Sequence, residues 1–128
     1  MQYINILGNL YHLLINIDNV IDEKEKALVS QIVTIEGFNV QEFDQHLLSI
    51  AETDNTSLYN LTINALRNKS QAMQIRTIAW LCLIANSDGF MANEEWQFIY
   101  KTYFHELKLS REKILEEQKI LKSKINLF

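Results

Sequence analysis

Proline is absent from this sequence of 128 residues, and glycine occurs only three times. Proline removes a backbone hydrogen-bond donor, and glycine in a helix interior costs about 1 kcal/mol relative to alanine. A chain with so few of either residue can form long helices without interruption, so the composition favours an all-α fold. Because this length and a hydrophobic fraction of 48% suffice for one core, we expect a single domain over residues 1–128.

Cysteine is also scarce, since Cys82 is the only one in the chain. A single cysteine excludes an intramolecular disulfide, and this one lies within the apolar stretch Trp80–Ile84. Apolar surroundings raise the pKa of a thiol, which makes it a poor nucleophile. We therefore expect Cys82 to be a small buried hydrophobic residue in a protein from a reducing compartment.

The sequence has neither an excess of positive charge nor a long hydrophobic run. Its net charge is −4, which argues against nucleic acid as a partner. Residues 1–15 lack the basic start and the cleavage site of a signal peptide, and no apolar run approaches the roughly 20 residues that span a bilayer. We expect a cytoplasmic protein that does not insert into a membrane.

Signatures of catalysis are missing as well. The sequence contains no glycine-rich phosphate loop, no nucleophile elbow and no paired cysteine motif. His12, His46 and His105 are too scattered to form a recognisable zinc signature, so core packing or a surface position explains them better. We predict that the protein is not an enzyme.

Apolar residues recur at spacings of three and four through most of the chain, which is the spacing of one face of a helix. This periodicity predicts six or seven helices. The fifth is apolar on most sides and should be the central one. The predicted helices are Gln2–Ile17, a second from its cap Asp22 to a stop at Gly37, Val40–Ala51, a fourth that ends near Asn68, Gln71–Asn86, a sixth that contains residues 96–107, and a last one that starts at Ser110.

For the third, sixth and last helices, the spacing of apolar residues also predicts which side chains are buried. An aromatic face at helical spacing, such as that of the sixth helix, is far more often core than a platform for a planar ligand. We therefore expect it to be buried. The expected inward residues are Val40, Phe43, Leu47, Leu48 and Ile50 in the third helix, Trp96, Ile99, Tyr100, Tyr103, Phe104 and Leu107 in the sixth, and Ile114, Leu115, Leu121 and Ile125 in the last.

Two parts of the sequence match one another at a constant offset of 70 positions. The matched polar pairs are Asn16 with Asn86, Asp18 with Asp88, and Glu25 with Glu95, and the match runs without a gap from Leu13 to Glu36 and from Leu83 to Glu106. We predict two pseudo-symmetric helical repeats, about residues 2–51 and 71–126, that form one compact bundle. The polar segment Glu52–Thr56 is the predicted joint between them.

Each repeat places an aspartate in a turn and a glutamate seven residues later at the start of a helix: Asp18 with Glu25, and Asp88 with Glu95. Both glutamates share a helix face with apolar residues, so they lean toward the partner helix above the turn. An isolated charge there is costly to desolvate. Backbone amides, a basic side chain or a cation could satisfy it, and calcium or magnesium suits such oxygen ligands better than zinc does.

Helix capping is the alternative explanation of the same four residues. Aspartate before a helix and glutamate in its first turn are ordinary caps, each contributing about 0.5 to 2 kcal/mol. The turns are not EF-hands, because that loop requires several oxygen ligands at alternate positions. Apolar side chains occupy those positions here, namely Val20, Ile21, Phe90 and Met91.

The segment Ala85–Glu95, and more faintly Asn16–Glu25, resembles the TerB-like family of tellurite resistance proteins, which is also found as a module in a membrane-anchored DnaJ-type co-chaperone. The resemblance implies an all-helical fold with two pseudo-symmetric halves. It also implies a metal-binding role for Asp18, Glu25, Asp88 and Glu95. The sequence departs from the family at Asn19, where glycine is usual, but asparagine tolerates the left-handed backbone that such a turn needs.

Two classes of function follow. In the first, the protein is a non-catalytic cation-binding or cation-sensing module of a bacterial stress-response system, as the resemblance implies. In the second, it is a helical scaffold whose acidic face docks a partner protein and which binds no metal.

Overall fold

The computed structural model describes residues 1–17, 22–87 and 89–125. Over these ranges the chain forms seven α-helices and no β-strand, which confirms the all-α fold and the expected number of helices. A π-helical turn, Lys101–Glu106, continues the sixth helix. The helices are α1 Tyr3–Ile15, α2 Glu23–Ile35, α3 Val40–Ile50, α4 Asn55–Arg67, α5 Gln71–Ala85, α6 Asn93–Tyr100 and α7 Arg111–Lys122.

Most helix starts are defined by a polar side chain that accepts a hydrogen bond from the first turn. Asp22 accepts from the backbone N–H of Lys24 at 2.9 Å and so begins α2. Ser110 begins α7 in the same way. Such caps satisfy backbone donors that have no partner within the helix. The starts predicted at Asp22 and Ser110 are therefore confirmed. Asn39, Asp54 and Ser70 cap α3, α4 and α5.

Helix α5 lies at the centre of the core. It packs against α1, α2, α6 and α7, and all but one of its residues from 75 to 85 are buried. Trp80 is fully buried within it. A helix that is covered on all sides must be apolar on all sides, so the prediction of a central fifth helix is confirmed. None of the helices that the structure describes is both long enough and apolar enough to cross a bilayer.

Three side chains that we expected in the core are exposed instead. Leu48 is 78% exposed, Phe104 is 51% exposed and Leu115 is 44% exposed. Each is the next residue after an inward-facing one, and consecutive residues on an α-helix point about 100° apart, so both cannot face the same core. The buried or partly buried partners of these three are Leu47, Tyr103 and Ile114.

The helix boundaries that flank the two turns follow the 70-position offset, and the boundaries after them depart from it by one residue. Helices α1 and α5 end at Ile15 and Ala85, and α2 and α6 begin at Glu23 and Asn93. After the π-helical turn, the left-handed residue that ends the helix is Gly37 in one half and Lys108, 71 positions later, in the other. The turn therefore contains one extra residue. The pseudo-two-fold relation of the halves remains a prediction.

Two polar contacts, one partly buried and one buried, join helices that are far apart in sequence. In the first, the Glu36 carboxylate accepts from Arg76 Nε at 2.6 Å and from the indole N–H of Trp80 at 2.8 Å. In the second, Asn9 donates from Nδ2 to Thr62 Oγ1 at 3.0 Å, which ties α1 to α4. Both contacts link α1 or α2 to the helices that follow the predicted joint.

Candidate functional site

The first turn joins α1 to α2. The α1 helix ends at Ile15 with Asn16 as its C-cap, and α2 begins at Glu23. Glu25 is the third residue of α2 and is half-buried. Asp18, the predicted partner of Glu25, lies outside the described residues.

The second turn joins α5 to α6, and its boundaries lie 70 positions after those of the first turn. The α5 helix ends at Ala85, and Gly89 adopts a left-handed backbone with φ of +88°. That conformation is open to glycine at no steric cost, as the Asp-Gly dipeptide predicts. Glu95 is the third residue of α6 and is half-buried. Asp88 lies outside the described residues, as Asp18 does.

The Glu95 carboxylate contributes to the start of its own helix. Its Oε1 atom accepts a hydrogen bond from the backbone N–H of Ala92 at 3.2 Å. This is half of a capping box; the other half is impossible because the side chain of alanine has no acceptor. Glu95 therefore acts as a cap through at least one oxygen, as the alternative explanation expects.

The structure brings each glutamate to the same position of its helix, and the two aspartates of the set lie outside the described residues. Among residues 1–17, 22–87 and 89–125, no group of three or more histidine, cysteine, aspartate or glutamate side chains could hold a metal ion. A cluster of that kind at either turn would have to include Asp18 or Asp88. Carboxylate oxygens are hard ligands, so the residues present fit calcium or magnesium by their chemistry.

The asparagines that follow α1 and α5 both donate back into the preceding helix. Asn16 Nδ2 lies 3.1 Å from His12 Nε2, and Asn86 Nδ2 donates to the Cys82 carbonyl oxygen at 3.1 Å. Burial lowers the pKa of His12, which favours the neutral ring that accepts this hydrogen bond. Each asparagine therefore closes the last turn of its helix and holds the start of the loop in place.

Cys82 lies beneath the second turn but has the properties of a core residue. It is 5% exposed, and burial raises its thiol pKa to about 12. A thiol that stays protonated at neutral pH is a poor nucleophile and a poor metal ligand. The structure thus agrees with the expectation of a buried hydrophobic residue.

A family model described as "Tellurite resistance protein TerB" matches residues 7–114. The match covers most of the chain and both turns, so the resemblance read from Ala85–Glu95 is confirmed. Comparisons with curated proteins and with solved structures gave no match.

Proposed function

The chain belongs to the TerB family of tellurite resistance proteins, and from this we propose that it is a non-catalytic module that binds or senses a divalent cation in a stress response. The proposed ligands are Asp18 and Glu25 in the first turn, and Asp88 and Glu95 in the second. Calcium or magnesium is the proposed cation, because the donor atoms are carboxylate oxygens.

The observation that best supports the proposal is that Glu25 and Glu95 occupy the same position in their helices. Residues 16–22 separate α1 from α2, residues 86–92 separate α5 from α6, and the third residue of the following helix is glutamate in both cases. Both glutamates are half-buried, where a carboxylate benefits from a positive charge. An aspartate two residues after each C-cap asparagine then supplies a second carboxylate to each turn.

Thermal unfolding with and without metal tests the proposal. A cation that binds only the native state raises its stability by about 2.7 kcal/mol at a hundredfold excess over Kd. After treatment with chelator, millimolar calcium or magnesium should therefore raise the Tm of the wild type. The double variant Asp88→Asn, Glu95→Gln should lose most of this rise.

A matched control removes two carboxylates elsewhere. Glu94 and Glu112 are exposed residues in the first turns of α6 and α7. The variant Glu94→Gln, Glu112→Gln should keep the full response to metal, since it changes the net charge by the same amount without touching a proposed ligand. A wild-type Tm that ignores millimolar calcium, magnesium, manganese and zinc would refute the cation site.

The second candidate function, a scaffold whose acidic face docks a partner, is favoured by the hydrogen bond from Ala92 to Glu95. If the carboxylates are only caps, the double variant Asp88→Asn, Glu95→Gln should lose about 1 kcal/mol whether or not metal is present. The same melts therefore separate the two functions.

A further inference from the structure

A row of aromatic rings follows one side of α6 and of the π-helical turn. Trp96, Tyr100 and Phe104, hereafter the aromatic face, are spaced four residues apart. The ring centroids of Trp96 and Tyr100 are 5.8 Å apart, and those of Tyr100 and Phe104 are 5.0 Å apart and nearly parallel. Phe104 is 51% exposed, and the other two rings are half-buried. The aromatic face therefore reaches solvent at Phe104.

Helix α2 shows that the fold does not require aromatic rings on this row. Counted from the start of the helix, the aromatic face occupies the fourth, eighth and twelfth positions of α6 and its continuation. The same positions of α2 hold Lys26, Ser30 and Thr34, all of them exposed. These positions therefore accept a polar row in α2, whereas in α6 Trp96 and Tyr100 pack partly against the core and Phe104 is exposed.

The backbone at the end of the aromatic face is unusual in two ways. The N–H of Leu107 donates to the carbonyl of Thr102 at 3.0 Å, five residues back, which makes the turn π-helical. Lys108 then takes a left-handed conformation with φ of +54°, which a side chain with a Cβ rarely adopts. Both features are found preferentially at functional sites.

A cavity of about 360 Å³ lies at this end of the aromatic face. Its lining residues are Phe104, His105, Lys108 and Leu109. Two are apolar and two carry nitrogen donors, so the cavity suits an apolar group with a negative charge beside it. The cavity is open to solvent, and its volume is ample for one large side chain.

Two basic side chains lie beside the aromatic face, although the net charge of the whole chain is −4. Lys108 lines the cavity next to Phe104. The Arg111 guanidinium lies 5.7 Å from the centre of the Trp96 ring, which places a cation at the edge of the aromatic face.

We propose that the aromatic face docks an acidic segment of a partner protein, with one apolar side chain of that segment in the cavity beside Phe104. Acidic side chains complement Lys108 and Arg111, and tryptophan, tyrosine and arginine are the residues that most often dominate binding energy at interfaces. Single-stranded nucleic acid could also stack on the rings, but its phosphates would continue past these two basic residues onto a protein of net charge −4.

Fluorescence anisotropy with a labelled peptide tests the proposal. The probes are fluorescein-labelled peptides of alternating glutamate and aspartate with one central phenylalanine, leucine or tryptophan. Binding is measured in EDTA, so that the proposed cation site plays no part. The wild type should bind the probes, and Phe104→Ala should weaken binding by at least about tenfold, as expected for an anchoring contact.

Lys108→Gly separates binding from folding. Glycine adopts the left-handed backbone freely, so this variant should melt no lower than the wild type while it binds the acidic probes several times more weakly. Two control variants remove comparable groups from other surfaces: Leu48→Ala, at a leucine that is 78% exposed on α3, and Lys119→Ala, at an exposed lysine on α7. Both controls should bind as the wild type does.

The proposal is overturned if none of the probes binds at millimolar concentration, or if Phe104→Ala and Lys108→Gly bind as tightly as the controls. It is equally overturned if probes with lysine in place of the acidic residues bind as well, or if an oligothymidylate binds more tightly than the peptides. Because every measurement is made without divalent cations, none of these outcomes bears on the metal response of the two turns.

Discussion

At the scale of single residues, the Glu36 side chain joins α2 to α5 through two hydrogen bonds. It is the C-cap of α2, its side chain is only 10% exposed, and one of its oxygens accepts from both Arg76 and the fully buried Trp80. Hydrogen bonds to a charged acceptor are about twice as strong as neutral ones. Glu36 therefore holds the end of α2 against the centre of α5.

We predict that Glu36→Ala lowers the free energy of unfolding by about 2 to 3 kcal/mol, because it leaves the Trp80 indole N–H and the Arg76 guanidinium without their acceptor. Urea denaturation followed by circular dichroism measures the change. The control is Glu52→Ala, at an exposed glutamate after α3, which should lie within about 0.5 kcal/mol of the wild type. Equal losses in the two variants would contradict the role assigned to Glu36.

At the scale of elements, Gly8 allows α1 and α3 to approach closely. A Cβ atom at this position would lie 3.0 Å from His46 Cδ2 and 3.4 Å from a Phe43 ring carbon. The His46 ring cannot easily move, because its Nε2 lies 2.7 Å from Asn9 Oδ1. The Thr62 hydroxyl fixes the orientation of Asn9. Because its only hydrogen is donated to the Leu58 carbonyl, the hydroxyl oxygen must accept a hydrogen bond from the Asn9 amide.

Gly8→Ala should therefore destabilise the protein, although glycine to alanine in a helix interior normally gains about 1 kcal/mol. We expect a net loss of about 1 kcal/mol, since crowding a packed interface costs about 1 to 3 kcal/mol. Thermal melts measure the change. In a His46→Ala background the crowding disappears, and the same substitution should then stabilise. A gain in both backgrounds would show that the helices can move apart freely.

At the scale of the whole molecule, the helices on either side of the predicted joint share one core. Helix α1 packs against α4 and α5, and α2 packs against α5. The Glu36 and Asn9 contacts cross the same boundary. Helices that bury their apolar faces on one another lose those contacts together, so neither part should be stable without the other.

We predict a single cooperative unfolding transition. Both tryptophans, Trp80 and Trp96, lie in the second predicted repeat, so their fluorescence follows residues 71–126, whereas far-UV circular dichroism follows every helix. The two signals should give the same midpoint in urea. A lower midpoint by circular dichroism, or a helical isolated fragment of residues 1–51, would indicate that the repeats fold independently.

Much of the local structure was predictable because it depends on neighbours in sequence. The helix starts at Asp22 and Ser110 follow from caps that act within one turn. The central position of α5 follows from an apolar surface that only a buried helix tolerates. The family follows from the short acidic segment around Asp88, where the order of residue types is informative without coordinates.

The aromatic face shows where sequence reasoning failed. Helical spacing predicted that all of its rings belong to the core, but Phe104 is exposed. A signal was available in the 70-position offset, which aligns the aromatic face with Lys26, Ser30 and Thr34. Because those three residues are polar, the comparison favours a solvent-facing position for the aligned rings, and Phe104 has one.

The sequence by itself determined the helical class, most of the helix boundaries, the central helix and the place of Glu25 and Glu95 in the first turns of their helices, because caps, propensities and periodicity act over a few residues. Only the tertiary structure decided which member of an apolar pair such as Leu47 and Leu48 is buried, and which distant side chains, such as Glu36 and Trp80, meet. These outcomes depend on the rotation and crossing of whole helices. Helix orientation is set by the sum of many weak packing contacts that no short stretch of sequence contains.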